Sequence, residues 1–154
     1  MREFYRRPTS GGVSRVALLV VRSAAATRGA ATPPTGVKIV ESVGVNGTDY
    51  IESDATNFRG SDARIGYNPS LQTGCCDEKG GKDRPAFVGL AHELGHAKDA
   101  VQGTHPDRDL PAHRAAAPGT TPRDEAPALR EENKVRAEHD IPIRPSYFPL
   151  EGMK

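Results

Sequence analysis

The pentapeptide His92-Glu93-Leu94-Gly95-His96 is the feature that most constrains this chain. An α-helix has about 3.6 residues per turn, so histidines four residues apart lie above one another on one face and can reach a single ion. Neutral imidazole binds Zn²⁺ well, and catalytic zinc sites keep one position open for water. Glu93, one residue after the first histidine, is placed to act as a general base. The pattern therefore predicts a helix that carries a catalytic zinc site.

The residues around this motif are typical of a helix that packs against a core. Asp83 and Pro85 form a helix-start signal, with Asp83 predicted as the N-cap and the proline in the first turn. Gly103 is placed to end the helix, and Gly89 leaves the metal face uncrowded at some cost in helix propensity. A chance pentapeptide on a core helix is the alternative. The metal site is favoured because apolar residues recur at helical spacing: Phe87, Leu90, Ala91, Leu94 and Val101.

Composition predicts one domain with a modest aliphatic core. The 154 residues contain no tryptophan and only 5% aromatic residues, while 16 glycines and 13 prolines indicate much loop. The net charge is +1 and the basic residues are scattered, so neither nucleic acid nor an anionic membrane is expected as a partner. Cys75 and Cys76 are adjacent, and a disulfide between them would strain the intervening peptide. Two free thiols are therefore predicted.

The N-terminal region has competing interpretations. Residues 1–12 are rich in arginine and are predicted to form a loose lead-in. Residues 14–27 are predicted to be a helix, although the apolar run 16–21 makes a strand the competing interpretation. The same run resembles a signal peptide in outline, but it is short and Arg22 interrupts it, so a helix of the folded domain is preferred. No segment reaches the roughly twenty apolar residues of a membrane span.

The central region predicts a small sheet. Residues 37–43 alternate between apolar and polar side chains and residues 48–52 follow a turn, so both are predicted to be strands. Asn46-Gly47 between them is a strong type I′ hairpin signal. Residues 63–67 are predicted to be the third strand, which Asn68-Pro69 ends. The predicted fold is α+β, with a short, three-stranded, mostly antiparallel sheet packed on the metal helix.

A loop and a second helix are predicted after the metal helix. Residues 104–122 contain four prolines and lack apolar periodicity, which predicts a flexible loop outside the metal shell. His105 and His113 in this loop are predicted to be solvated and not to bind the metal. The second helix is predicted over residues 125–138, with Pro127 in its first turn, where proline is tolerated.

The third zinc ligand must come from outside the motif. A histidine ten residues after the first, as in metzincins, is excluded because Gln102 stands there. Asp99 lies on the same side of the helix as His96 and suits a hydrogen-bond partner of that histidine better than a ligand. Glu125 and Glu132 share a face of the second helix but are two turns apart, so only one of them can bind the same ion. The carboxylates left as candidates are Glu125, Glu131 and Glu132.

Several segments around the motif form a recognisable pattern. They are residues 84–103, the spaced pair Glu125 and Glu132 followed by Asn133 and Arg136, and Ile141-Pro-Ile-Arg144-Pro-Ser-Tyr147, with Gly66-Tyr67-Asn68-Pro69 upstream. Together they resemble the NleD-type effector zinc peptidases, and still more the related peptidase domains at the ends of Rhs and other polymorphic toxins. The resemblance covers the chain from about residue 65 to its end, and the earlier residues match in outline only.

This resemblance implies a small, gluzincin-like zincin that occupies residues 1–154 as one domain. It implies that Glu125, the earlier glutamate of the second helix, is the third ligand beside His92 and His96. It also implies that Arg144 and Tyr147 stabilise the tetrahedral oxyanion, as groups after this helix do in other gluzincins. The site residues expected are therefore three zinc ligands, Glu93 as the base and two oxyanion-binding side chains.

The expected function is zinc-dependent hydrolysis of peptide bonds. Glu93 takes a proton from a zinc-activated water and returns it to the leaving amine. A protein or peptide substrate is expected to lie along the sheet edge near residues 65–67 as an added strand. The resemblance implies a bacterial effector or toxin that is secreted or translocated into a target cell, with a parent delivery protein or an immunity protein as partner, and that stays cytoplasmic if produced alone. A protease that processes its own parent chain and a non-catalytic metal- or partner-binding module stay open as alternatives.

Overall fold

Four strands and three helices make up the described part of the chain, which in this computed structural model is residues 18–19, 36–106 and 117–152. The strands are β1 (Leu18–Leu19), β2 (Val37–Glu41), β3 (Gly47–Tyr50) and β4 (Ala63–Tyr67). The helices are α1 (Glu52–Ala55), α2 (Ala86–Gln102) and α3 (Glu125–Glu138). None of the helices in these described ranges is long and apolar enough to cross a membrane.

The strands form one mixed sheet in the order β1-β2-β4-β3. β2 pairs in parallel with β4, while β1 pairs antiparallel with β2 and β3 pairs antiparallel with β4. The three predicted strands are present as β2, β3 and β4 in a short mixed sheet, and two of its three ladders are antiparallel. The sheet departs from the prediction in two details. The sheet has four strands among the described residues, and its longest ladder is parallel. The broader prediction of a small α+β fold is confirmed.

The predicted hairpin at Asn46-Gly47 does not form. A type I′ turn needs positive φ at both central residues, and neither of these two residues has it. The Asn46 side chain instead accepts a hydrogen bond from the backbone N–H of Asn68 at 2.8 Å. The Asn68 amide donates to the Gly44 carbonyl at 2.7 Å. These bonds hold residues 42–46 against the end of β4, so the chain crosses that strand instead of returning beside β2.

The order of strands also changes the expected substrate edge. Residues 65–67 belong to β4, which has β2 on one side and β3 on the other. The prediction that a peptide pairs there is therefore wrong, because both sides of β4 already have partners. Among the described strands, β3 is the edge strand on the side of α2. Thr48 in β3 contacts Glu93 in α2, so this edge lies beside the H-E-x-x-H motif.

The core lies between the sheet and α2. It is small and aliphatic, as the composition predicts, and Ile39, Leu90 and Leu94 pack against its margin. Ala97 and Ala100 of α2 are fully buried, and their small side chains bring the helix backbone close to β4. Cys76 is buried as well, and both it and Cys75 are free thiols, as predicted. The buried hydrophobic residues of this cluster are Val37, Ala55, Ala63, Ile65, Ala97, Ala100 and Val101.

The two long helices agree with the sequence predictions except at one end. α3 has the predicted bounds, and Pro127 occupies its third position. α2 begins at Ala86 with Pro85 in the N-cap position, so the predicted N-cap at Asp83 is wrong. Gly103 ends α2 in the left-handed conformation, with φ of 69°, as predicted.

Three expectations lie wholly or partly outside the described residues. The lead-in at residues 1–12 is one of them. The predicted helix at 14–27 is another, except at Leu18–Leu19, which form a strand as in the competing interpretation. The loop predicted over residues 104–122 is described only at its ends, where it has neither helix nor strand. His113 lies outside the described residues.

Candidate metal site

A cluster of three possible metal ligands forms where α2 meets α3. His92 and His96 come from consecutive turns of α2, and Glu125 comes from the first turn of α3. The Glu125 Oε2 atom lies 3.0 Å from the His92 Nε2 and 3.2 Å from the His96 Nε2. Gly95 allows this approach, because a Cβ there would lie only 2.7 Å from the Cα of Ala128 in α3. The motif glycine therefore brings the second helix within reach of both histidines.

The donors of this cluster suit Zn²⁺. Two imidazole nitrogens and one carboxylate oxygen, with a further position left for water, form a common catalytic zinc arrangement. Their ligand atoms all lie within 4.8 Å of one another. Tetrahedral ligands about 2 Å from Zn²⁺ are about 3.3 Å apart, close to the 3.0 and 3.2 Å that separate the carboxylate oxygen from the two imidazoles. His92, His96 and Glu125 could therefore hold a metal ion together.

Glu132 contacts His92 from the side opposite Glu125. Its side chain is fully buried, and Oε2 lies 3.0 Å from the His92 Nδ1. The Arg136 Nε donates to Oε1 at 2.9 Å, and Arg144 donates to Oε2 at 3.4 Å. A carboxylate on one ring nitrogen of a metal-binding histidine fixes the ring and makes the other nitrogen a better ligand. Glu132 is therefore placed to orient His92, while Glu125 alone reaches both histidines.

The carboxylates strongly shift the protonation of His92. Burial by itself would lower the pKa of His92, but the hydrogen bonds with Glu125 and Glu132 raise it to about 9. Burial would raise the pKa of Glu125, but its hydrogen bonds with His92 and His96 lower it to about 2. The pKa of Glu132 is also lowered to about 2, against the effect of burial, by His92 and by the charges of Arg144 and Arg136. In the metal-free protein a proton on His92 thus balances two carboxylates.

We expect zinc affinity to depend on pH because His92 must lose this proton before its nitrogen can bind a metal. The pKa of about 9 in the fold is above the ordinary value of 6.5, so the proton is bound at neutral pH and leaves as the pH rises through 9. The apparent affinity should rise about tenfold per pH unit from neutrality and then level off. Competition with a chelator at several pH values measures this. An affinity independent of pH above neutrality would contradict the raised pKa.

Glu93 is held by the edge strand of the sheet. The Thr48 hydroxyl donates to the Glu93 Oε2 at 2.8 Å and lies 3.1 Å from the backbone oxygen of the same residue. Glu93 is partly exposed and does not belong to the three-residue cluster. One carboxylate oxygen is thus held beside the motif histidines. Thr48 was not identified from the sequence, because its position opposite Glu93 depends on the strand order.

Tyr147 lies at the cluster. Its ring centre is 6.0 Å from that of His92. Burial and the negative charge of Glu125 raise the pKa of Tyr147 to about 12. The hydroxyl therefore keeps its proton at physiological pH and can donate it in a hydrogen bond.

Arg144 lies behind Tyr147 and is buried. Its guanidinium donates to the backbone oxygens of Ser146, at 3.1 Å, and of Tyr147. It also contacts the Tyr147 ring, with Cζ 4.7 Å from the ring centre, and donates to Glu132. These contacts engage the guanidinium with the second glutamate and with the turn that carries the tyrosine.

Comparison with known proteins identifies the family. The model of peptidase family M91, described as effector protein, matches residues 22–147. The chain belongs to this family. Membership confirms the resemblance to the NleD-type effector peptidases and implies a protein substrate. Neither the curated proteins nor the solved structures compared with the chain give a match.

His105 has a different environment from the one predicted for this M91 chain. It is only 3% exposed, and its Nε2 lies 2.9 Å from the Tyr50 hydroxyl. Its backbone N–H donates to the Ala55 carbonyl, and its ring lies 5.7 Å from that of His96. The prediction of a solvated histidine is therefore wrong, because the chain after Gly103 turns back onto α1 and β3. His105 packs beside the cluster without being one of its three members.

Asp99 does not have the contact predicted for it. Its carboxylate is partly buried, and burial raises its pKa. Within the described ranges, no hydrogen bond joins this carboxylate to His96. The predicted pairing of Asp99 with His96 is therefore absent. The motif histidine that has an orienting carboxylate is His92, and that carboxylate belongs to Glu132.

Proposed function

We propose that this chain is a zinc metalloendopeptidase with a gluzincin-like site. The observation that carries the proposal is the convergence of His92, His96 and Glu125 in a chain that belongs to a peptidase family. Glu93, one residue after the first of these histidines, provides a carboxylate beside them. Family membership alone supports a peptidase, and the ligand set supports zinc as the metal that activates it.

Each side chain of the site has a role in this proposal. Zn²⁺ held by the cluster would polarise a water molecule and the substrate carbonyl. Glu93, held by Thr48, accepts the proton of that water and passes it to the leaving amine. The Tyr147 hydroxyl, which stays protonated because its pKa is about 12, donates a hydrogen bond to the developing oxyanion.

Arg144 has an indirect role in this proposal. The resemblance implied direct contact with the oxyanion, but the guanidinium is buried and donates to Glu132 and to the backbone around Tyr147. We therefore assign it the positioning of two groups: the tyrosine hydroxyl and the carboxylate behind His92.

The substrate would pair with β3 in this proposal. β3 is the edge strand of the described sheet beside α2, and Thr48 within it contacts Glu93. An extended peptide added to this edge would gain main-chain hydrogen bonds and pass close to the motif. Val43 and Val45, just before the strand, expose most of their side-chain surface, which offers apolar contacts to the same peptide.

Metal analysis and a proteolysis assay test the proposal together. The wild type should contain about one zinc per chain, and both the His92→Ala/His96→Ala variant and Glu125→Ala should lose zinc and activity. His139→Ala is the matched control, since His139 is an exposed histidine at the end of α3. It should keep both zinc and activity. Equal zinc in the wild type and the double histidine variant would refute the proposed site.

The biological role is proposed from the family. We infer an effector or toxin that is delivered into a target cell and cleaves a protein there, carried by a larger delivery protein or opposed by an immunity protein. Expression in bacterial and eukaryotic hosts should impair at least one of them, and Glu93→Ala should remove the effect. Equal growth in every host, with hydrolysis confirmed in vitro, would favour cleavage of the parent chain. Zinc binding without any hydrolysis would favour a metal- or partner-binding module.

A further inference from the structure

A positively charged side chain, Arg84, lies beside the metal helix and forms no ion pair with a carboxylate of the described residues. Arg84 immediately precedes α2, and its guanidinium packs on Gly89: a Cβ at that glycine would be 3.0 Å from NH2 and 3.2 Å from Cζ. Gly89 lies one turn before His92 on the same helix face. Within the described part of the chain, the Arg84 Nε is buried without a hydrogen-bond partner. A buried donor without a partner is rare enough to require an explanation.

Asn46 places a further N–H donor at Gly89, beside the NH2 group of Arg84. Its Nδ2 lies 2.6 Å from the position that a Cβ on Gly89 would take, and this atom too is buried without a partner in the described ranges. Its Oδ1 accepts the backbone N–H of Asn68 at 2.8 Å, which fixes the amide with its donor side toward the glycine. Two N–H donors from separate segments therefore meet at one glycine, and any other side chain at position 89 would stand between them.

Arg84 forms no ion pair within the described residues, whereas the two neighbouring arginines do. Arg136 and Arg144 both bind Glu132. Burial lowers the pKa of Arg84, and the two neighbouring arginines lower it further, while Glu132 and Glu93 act in the opposite direction. An arginine in a protein still keeps its proton at neutral pH. The Arg84 guanidinium is thus a partly desolvated cation beside the Asn46 amide. Within the described residues, neither the Arg84 Nε nor the Asn46 Nδ2 has a hydrogen-bond acceptor.

We propose that Arg84 and Asn46 form a subsite that binds an acidic side chain of the protein substrate. The inference rests on the proposed function, since it names the side chain that this peptidase selects. A carboxylate accepts hydrogen bonds from both donors, whereas the amide of Gln or Asn could place N–H against N–H. Asn46 directly precedes β3, and Gly89 is one turn from His92. A peptide on the β3 edge therefore passes the subsite within a few residues of the scissile bond.

Cleavage of a peptide library measures this preference. Peptides from a digested proteome are incubated with the zinc-loaded wild type, and the new termini are identified by mass spectrometry. We expect Asp and Glu to be enriched at one position near the scissile bond. For a matched peptide pair, kcat/KM should be at least about tenfold higher with Glu than with Gln at that position. Arg84→Gln should reduce this ratio to about one, and Arg84→Lys should keep part of it.

Two further variants separate selection from folding. Arg130→Gln removes the same charge from the exposed face of α3 and should leave the ratio unchanged. Gly89→Ala inserts a Cβ 2.6 Å from the Asn46 Nδ2, so this donor must shift and the Glu/Gln ratio should fall. Its melting temperature measures whether the added helix propensity offsets that displacement. If Arg84→Gln fails to fold, Gly89→Ala decides the matter. Zinc content should equal that of the wild type in every folded variant.

The proposal is overturned if the wild type cleaves the Glu and Gln peptides equally, or if the preference survives in Arg84→Gln or Gly89→Ala. A phosphoserine peptide that is cleaved much faster than the Glu peptide would replace the carboxylate by phosphate and would also overturn it. If the zinc-loaded wild type cleaves no peptide, the proposed function fails separately. The subsite is then tested by fluorescence anisotropy with two labelled peptide pools, one containing Asp and Glu and the other Asn and Gln. Tighter binding of the acidic pool by the wild type but not by Arg84→Gln supports it, and equal binding refutes it.

Discussion

Glu93→Gln should nearly abolish peptide hydrolysis and leave zinc bound. Glutamine has almost the same shape and can still accept the hydrogen bond from Thr48, but its amide oxygen does not take a proton from water. Loss of a positioned general base typically lowers the rate by about 10²–10⁴. Glu93 lies outside the cluster of possible ligands, so the zinc content should stay at the wild-type value. Initial rates on a library-derived peptide and elemental analysis of the same samples measure both effects.

Thr48→Val is the companion variant, which tests how much the positioning of Glu93 contributes to the rate. It removes the 2.8 Å hydrogen bond to Glu93 but keeps the carboxylate and a similar side-chain shape. We expect a loss of about one order of magnitude in kcat, because the base is present but less well held. A loss of zinc in Glu93→Gln would instead make Glu93 a ligand, and an unchanged rate would require another base.

The two long helices could be predicted because their signals are local. The apolar spacing around His92 and the placement of Gly103 lie within one short segment, and α2 covers that segment. α3 likewise has its predicted bounds despite Pro127, because a proline in the first turn removes no hydrogen bond that the helix needs. Only the N-cap of α2 differed. Pro85 takes that position, and the backbone of Asp83 forms an isolated antiparallel β-bridge with Thr73 instead.

The sheet could not be predicted in the same way because strand order depends on contacts between distant residues. Asn46-Gly47 is a strong local signal for a hairpin, but the Asn46 side chain accepts a hydrogen bond from the backbone of Asn68, 22 residues later. That bond belongs to an arrangement in which β4 separates β2 from β3. The predicted substrate edge was wrong for this reason, and the contact of Thr48 with Glu93 could not be predicted, since both depend on which strand lies beside α2.

The roles of Glu125 and Glu132 depend on how α2 and α3 pack. Helical spacing places both glutamates on one face of α3 but does not say which turn meets the histidines. The contact of Gly95 with Ala128 sets that register, with a Cβ-to-Cα distance of only 2.7 Å if the glycine had a side chain. Glu125 then reaches both imidazoles and Glu132 reaches His92 alone. Glu125 as the metal ligand stays a prediction, which the packing of the helices supports.

Glu132→Ala should destabilise the fold and weaken zinc binding together. It leaves Arg136 and Arg144, which are 1% and 6% exposed, without their shared carboxylate. Removing one partner of a buried ion pair costs about 3–5 kcal/mol, because the remaining charge has lost both water and partner. Loss of the carboxylate on a metal-binding histidine typically lowers metal affinity by about 10–100-fold. Urea denaturation of the metal-free protein and chelator competition measure the two effects separately.

Glu131→Ala is the matched control, one residue away on the same helix. Glu131 pairs with the exposed Lys98 and Lys134, so its loss should change the free energy of unfolding by less than about 1 kcal/mol and leave zinc affinity unchanged. Glu132→Gln should lie between the two, because the amide oxygen can still accept the His92 Nδ1–H while the charge that balances the arginines is lost. If Glu132→Ala removes zinc completely while Glu125→Ala retains it, the ligand and the orienting carboxylate must be exchanged. If Glu132→Ala and Glu131→Ala have equal stability, the buried arginines find water or another partner, and Glu132 does not hold α3 in place.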